Sequence, residues 1–509
     1  MCMKFIKKRG CGILVHPTSL PSDYGIGDLG AGAFRFVDLL SAAGQGYWQF
    51  LPIGPTSSVF DNSPYMSRSV FAGNPLLISP EKLYANGLLT KSDLANRPDF
   101  SEYTVEFEKA APYKHKLLKV AFHIFMNEGQ DSDFEVFCHK HKSWLDDYAL
   151  FMSVRDAYRL RPWYKWPSST ARRDSGALLQ LRLELADKLL YYKFTQYLFY
   201  SQWQELFEYA RTKSISLIGD IPIYVGFDSA DVWANQAFFK LNTKTLQPTK
   251  IAGVPPDYFS ETGQRWGNPV YRWHLPNKKI NKQLYDWWLQ RFRHIFSMMD
   301  IVRIDHFRGF ESYWEIPAKE ETAINGRWVK GPGKKLFETI SRQLGMLPII
   351  AEDLGEITPA VTRMRKALGF PGMKVLQFAF ESDETNLYLP HNYSQTNTVV
   401  YTGTHDNNTA LGWFLSNRLS ETAKNYVRQY INSHKDEQIS WDLTRLAMSS
   451  IADLAIIPLQ DILGFGEDCR MNTPGTGEGN WRWRCAPHFL NDEIVQRLHH
   501  TARLYNRSQ

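Results

Sequence analysis

The run Ile301-Val302-Arg303-Ile304-Asp305, which opens IVRIDHFRGF (301–310), is short, apolar and closed by an acid. Side chains alternate along a strand, so Arg303 and Asp305 share one face while Val302 and Ile304 share the other. A carboxylate at the end of a buried strand does little for stability. It is well placed for chemistry if parallel strands open their carboxyl ends onto one mouth. Two more runs close in the same way, at Glu352 in PIIAEDLGE (348–356) and at Asp406 in TVVYTGTHDNN (398–408).

Working outward, eight such runs can be read: GILVH (12–16), YWQFLPI (47–53), SLIGDIPI (216–223), IVRID (301–305), PIIAED (348–353), VLQFAF (375–380), VVYTGTHD (399–406) and LAIIPLQDIL (454–463). Helical patterns separate most of them, such as AGAFRFVDLLSAAG after the first and PAVTRMRKALG after the fifth. Alternating strands and helices imply a parallel sheet, and a count of eight implies a (β/α)8 TIM barrel; a doubly wound open sheet is the alternative. The whole of 1–509 reads as one catalytic barrel domain, with no separate C-terminal β-sandwich. Two intervals exceed a simple crossover. Residues 54–215 read as an inserted helical subdomain, and 224–300, rich in Pro, Gly and aromatics, as a substrate-loop insertion. Insertions after barrel strands land on the active-site face, so both are expected to wall the cleft.

The composition is that of a globular chain, with 43% hydrophobic and 22% charged residues. The net charge of +6 is dispersed, and clusters such as Lys7-Lys8-Arg9 and Lys334-Lys335 read as solvated surface, so no nucleic-acid partner is inferred. Five cysteines (Cys2, Cys11, Cys138, Cys469, Cys485) lack paired spacing, as in a reducing compartment. No secretory signal is legible, and no stretch approaches the roughly 18 apolar residues of a membrane span. The expectation is a soluble, cytoplasmic protein without a membrane partner. Aromatics are abundant, with 16 Trp, 25 Tyr and 31 Phe, and many adjoin Gly, Pro or Asn. Most fill the core. The rest suit sugars, which have apolar faces and polar edges.

Each acid also has a plainer reading. Arg303 beside Asp305 favours the ionised carboxylate and lowers its pKa, which suits a nucleophile; a structural ion pair is the alternative. Glu352 and Asp353 are adjacent, so only one points inward, and spacing does not choose. A Glu reaches further, as a general acid must, and Asp353 fits a helix N-cap. Asp406 lies in the polar string Thr404-His405-Asp406-Asn407-Asn408, able to bind hydroxyls or to cap a turn. Three such acids point to making or cleaving glycosidic bonds, which takes paired carboxylates. Other motifs fall away. Gly25-Ile26-Gly27-Asp28-Leu29-Gly30 fits a dinucleotide fingerprint but does not follow a strand directly. Cys138-His139-Lys140-His141 lacks a further ligand for a metal, and Gly331-Pro332-Gly333-Lys334 is too short for a phosphate loop.

At these residues the chain resembles the 4-α-glucanotransferases (amylomaltases, or disproportionating enzymes), a retaining group of the α-amylase superfamily. The resemblance covers GILVHPTSLPSDYGIGDLG (12–30), SPYMSRSVFAGNP (63–75), GDIPIYV (219–225), GVPPDYFSETGQRWGNPVY (253–271), VRIDHFRGF (302–310), AEDLG (351–355), GTHDN (403–407) and RMNTPGTGEGNWRWR (470–484). It implies Asp305 as nucleophile, Glu352 as acid/base and Asp406 as the acid that holds the donor sugar. It implies Arg303 and His405 as orienting neighbours, Asp220 as a hydrogen-bonding acid, Tyr65 near the donor sugar, and Trp266 in the loop over the glucan. Tyr258 and Phe259, in the same loop, join Trp266 as candidates for holding the acceptor. Met66 and Asn408 depart from the expected SPYQ and HDND patterns and bear on subsite affinity. The expected reaction is transfer of an α-1,4-glucan segment among maltooligosaccharides, with no metal and no organic cofactor. An α-glucan hydrolase would share all three acids, and a non-catalytic glucan-binding protein would not need them together.

Overall fold

A computed structural model of the chain describes residues 5–129, 131–256 and 260–508. It contains twelve strands: β1 (Gly10–Leu14), β2 (Tyr47–Gln49), β3 (Ser216–Pro222), β4 (Lys250–Val254), β5 (Gln264–Pro269), β6 (Ile301–Asp305), β7 (Ser312–Pro317), β8 (Arg327–Lys330), β9 (Ile349–Ala351), β10 (Gly372–Val375), β11 (Thr398–Tyr401) and β12 (Leu454–Pro458). Eight of them form one all-parallel sheet in the order β10-β11-β12-β1-β2-β3-β6-β9. The end strands meet. The Ala351 N–H donates to the Pro371 carbonyl at 2.9 Å, and the Met373 N–H donates to Asp353 Oδ1 at 2.8 Å. Arg365 holds the other Asp353 oxygen at 2.8 Å. The sheet is a TIM barrel, and its β9–β10 seam is completed by a side chain.

The strands are nearly continuous buried runs, as parallel strands covered on both faces must be. Within β3, a Cβ at Gly219 would sit 1.6 Å from the Met299 sulfur, so only glycine lets Met299 pack against the strand there. Two of the predicted runs pass from a strand directly into a helical element. Of VLQFAF only Val375 is strand; β10 begins at Gly372, and Leu376–Phe380 is a 3-10 turn. LAIIPLQDIL breaks after Pro458 into the helix Leu459–Leu463. In both, burial continues past the barrel's rim, so the apolar pattern outlasts the strand.

Between β2 and β3 run several helices, among them Phe107–Glu128, Lys142–Ala157 and Ala186–Thr212. The last returns to the barrel, where the Trp203 indole N–H donates to the Met298 carbonyl at 3.1 Å. The segment between β3 and β6 contains β4, β5 and the helix Lys282–Phe296, whose Trp288 and Phe292 are fully buried. Strands β4 and β5 join β7 and β8 in an antiparallel sheet ordered β5-β4-β7-β8. Among the described residues no strand follows β12, and none of their helices is long and apolar enough to cross a membrane.

The opposite end of the barrel is closed by Arg507, which is fully buried. Its guanidinium donates to the carbonyls of Gly10 (2.9 Å), Met448 (2.7 Å), Ser450 (3.0 Å) and Ala452 (2.9 Å). A charged donor serving several buried acceptors is hard to replace. Arg507→Met is expected to lower stability by about 2–5 kcal/mol, read as a lower midpoint of urea unfolding. An unchanged midpoint would mean that those carbonyls find other donors.

Candidate active site

At the carboxyl end of β3 and β6, the Arg303 guanidinium lies between two acids. It donates to Asp220 Oδ2 at 2.5 Å and to Asp305 Oδ1 at 3.1 Å. Strand register requires this meeting, because Asp220 pairs with Arg303 across β3 and β6. Asp220 and Arg303 are buried, with 1% and 4% of the side chain exposed, whereas Asp305 keeps 29% open to the cleft.

Tyr65, in the loop after β2, donates its hydroxyl to Asp220 Oδ2 at 2.8 Å and lies 2.9 Å from His405 Nε2. The Tyr65 and His405 rings stack at 5.3 Å. His405 Nε2 in turn stands 3.3 Å from Asp406 Oδ1. Asp406 is thereby joined to Asp220 through two aromatic side chains. A second grip comes from far along the chain: Asn472 Nδ2 donates to Asp406 Oδ1 at 2.6 Å, and Arg470 donates to the Asp406 carbonyl at 2.6 Å. Turn formation falls to its neighbours, since Asn407 Oδ1 accepts from the Thr404 N–H and hydroxyl, both at 2.9 Å. Asp406 itself is 44% exposed and free to meet a ligand.

The ambiguity between Glu352 and Asp353 resolves by partner. Asp353 faces the barrel seam described above and is not a helix cap; the next helix is capped by Thr358. Glu352 Oε2 accepts the His306 N–H and Oε1 the Leu354 N–H, both at 2.7 Å. His306 can donate in that direction because its backbone is left-handed (φ 52°) immediately after Asp305. The two carboxyls are therefore anchored to adjacent positions.

Their electrostatics differ from the sequence expectation. Arg303 does pull the Asp305 pKa down, but burial outweighs it, with help from Asp220, Glu352 and Asp406, and the carboxyl is pushed up to about 8. Burial also raises Glu352, against Arg303 and the two N–H donors. Several acids crowded into one mouth do not all carry charge against a single guanidinium, so the pair titrates together and retains a proton near neutral pH. Arg303 favours the ionised form of both carboxyls, by direct contact at Asp305 and at longer range at Glu352. Burial lowers His405, which leaves its imidazole neutral.

Trp266, on β5, meets the His306 ring edge-on at 4.9 Å and the Tyr224 ring at 6.3 Å, beside the acid pair. Tyr258 and Phe259 lie outside the described residues. Met66 receives a long contact from Asn268 Nδ2 at 3.7 Å, which ties the Tyr65 loop to β5. Asn408 turns its carbonyl to Gln377 at 2.8 Å and its side-chain oxygen to the Thr409 N–H at 2.9 Å. Sequence reasoning did not assign Arg470, Asn472 or Trp481, whose ring lies 5.9 Å from Tyr65 and 6.0 Å from His405. All three belong to RMNTPGTGEGNWRWR, a motif whose distinctive residues were legible but whose contact with Asp406 was not. His16 was also missed. It is buried after β1, its Nδ1 has no partner, and it lines a pocket with Ser19 and His405.

Comparison with known proteins agrees with this arrangement. Residues 15–490 match the family model described as 4-alpha-glucanotransferase. The chain is 50% identical to the 4-alpha-glucanotransferase of Synechocystis sp. over 99% of both chains. It is 45% identical to that of Thermus thermophilus, over 96% of this chain and 97% of that one. The solved structure of the amylomaltase from Streptococcus agalactiae in complex with acarbose superposes with a TM-score of 0.94 at 39% identity, covering 99% of this chain and 100% of that one. With barrel, motifs and full-length similarity in accord, the chain belongs to the 4-α-glucanotransferase family.

Proposed function

We propose that this enzyme moves a segment of an α-1,4-glucan to the 4-hydroxyl of an acceptor glucan or glucose by retaining double displacement. The observation that carries the reading is the hydrogen bond to Glu352 from the N–H of His306, the residue after Asp305, as an acid working beside a nucleophile would require. Asp305 attacks the anomeric carbon while Glu352 protonates the departing glycosidic oxygen, and a covalent glycosyl-enzyme forms. Glu352, now ionised, takes the proton from the acceptor's 4-hydroxyl as that oxygen displaces Asp305. Asp406, steadied by Asn472, grips donor hydroxyls and favours the flattened, oxocarbenium-like ring. Tyr65, His405, Asp220 and Arg303 hold that wall in place. The scheme requires no metal and no organic cofactor.

A hydrolase would run the same first half, so the acceptor side decides. Sugar must outcompete water for the intermediate, which takes binding surfaces that hold a glucan and exclude solvent. Tyr258, Phe259 and Trp266 are assigned that task, and the inserted segments 54–215 and 224–300 the walls of the cleft. The cytoplasm, where unpaired cysteines persist, is the proposed compartment.

Incubation with maltotriose tests the reaction class: a ladder of longer maltodextrins plus glucose, at a constant number of reducing ends, is expected. Maltose and glucose with rising reducing ends would mean hydrolysis. Glu352→Gln is expected to slow maltotriose transfer by about 10²–10⁴-fold, yet to release a first equivalent of fluoride rapidly from a maltosyl fluoride donor, because fluoride leaves without a proton and only the second step then lacks its base. Absence of that fluoride burst would remove Glu352 from the acid role.

The shared proton gives a pH signature. Above the raised pKa of the pair the acid is lost, so kcat/KM is expected to fall as pH rises through about 8. Asp220→Asn removes one of the charges that lifts Asp305 and frees Arg303 for it, so the alkaline limb is expected to move to lower pH. An unmoved limb would separate Asp220 from that titration. Trp266→Ala is expected to raise hydrolysis relative to transfer, measured as reducing ends released per glucose transferred, and an unchanged ratio would contradict its assignment.

A further inference from the structure

The chain has 16 tryptophans, and among the described residues Trp328 is the most exposed, at 37%. It stands on β8, the edge strand of the antiparallel sheet, opposite Trp314 of β7. The Trp314 ring meets it edge-on at 5.2 Å and 68°. The Arg308 guanidinium lies 3.8 Å from its ring centroid. The indole is thus fixed from two sides while more than a third of it faces solvent. A rigid, partly open aromatic surface has little ordering entropy left to lose on binding.

Its position gives that surface a use. Arg308 is the third residue after Asp305, and its guanidinium also donates to the Glu356 carbonyl, four residues after Glu352. One side chain therefore links the indole to the loop behind the nucleophile and to the loop behind the acid, on the face where the barrel strands end. The acid's side of a glycosidic site is where the leaving oxygen departs and where the acceptor hydroxyl arrives. Trp266, at the other edge of the same sheet, touches His306. The two edge strands are three steps apart, about 14 Å at the usual strand spacing, a span that takes several sugar rings.

We propose that Trp328 is an outer sugar-stacking platform on the acceptor side of the cleft, engaged by α-1,4-glucan chains long enough to extend past Trp266. This rests on the transfer reaction proposed above. It makes Trp328 a determinant of chain-length preference. Packing against Arg308 alone would give no such preference.

The test compares kcat/KM for maltoheptaose with that for maltotriose. In Trp328→Ala the ratio of the two is expected to fall roughly three- to tenfold, with the change carried mainly by KM for the longer chain. Trp328→Phe, which keeps a ring over Arg308, is expected to retain most of the wild-type ratio. A ratio that stays at the wild-type value in Trp328→Ala overturns the proposal, whether both activities drop together or neither does. Wild-type protein that transfers neither substrate would instead overturn the reaction itself.

Discussion

Everything in this site is organised around one buried cation. Arg303 serves Asp220 and Asp305 together inside a barrel mouth where Glu352 and Asp406 also stand. Stripping one partner from such a cluster leaves an uncompensated buried charge, a cost of about 3–5 kcal/mol. The arrangement is held by strand register rather than by side-chain choice, because Asp220 and Arg303 are opposed across β3 and β6. A guanidinium fits where an ammonium would not, since its planar fork can reach two carboxylates at once.

That single cation also sets the proton inventory. It cannot neutralise all the acids around it, so burial and mutual repulsion leave the Asp305–Glu352 pair holding a proton. Retaining chemistry needs one anion and one acid at the same moment, and the pocket supplies that state without a fixed assignment to either residue. The contact to Arg303 and the two backbone donors to Glu352 hold the two carboxyls in different surroundings.

The remaining polar groups transmit position. Tyr65 and His405 carry the order of Asp220 across to Asp406, and Arg470 and Asn472 fix Asp406 from the far end of the chain. Asp353, adjacent to Glu352, spends its charge on the β9–β10 seam. Neighbouring carboxylates therefore do unlike work, one completing the barrel and one facing its mouth. The antiparallel sheet sets an indole at each of its outer edges against the 306–308 segment, so the loop that follows Asp305 is flanked by aromatic surface.

The sequence by itself determined the family, through the resemblance of motifs such as RMNTPGTGEGNWRWR (470–484), and it determined the barrel and the three strand-end acids because alternation and the spacing of apolar runs are local properties of the chain. It placed Arg303 on the face of Asp305 for the same reason. By spacing it did not choose between Glu352 and Asp353, a choice made by the family resemblance, and by its apolar pattern it put the strand before Leu376 a few residues too late, because buried apolar residues continue past the rim into a turn. It also gave the wrong direction for Asp305: one cation next in line argues for a low pKa, whereas burial and three more acids from distant strands argue otherwise. Only the tertiary structure brought Asn472 to Asp406 and set Arg308 beneath Trp328. Contacts of that kind depend on how strands far apart in the chain are stacked into one mouth, and no local pattern encodes them.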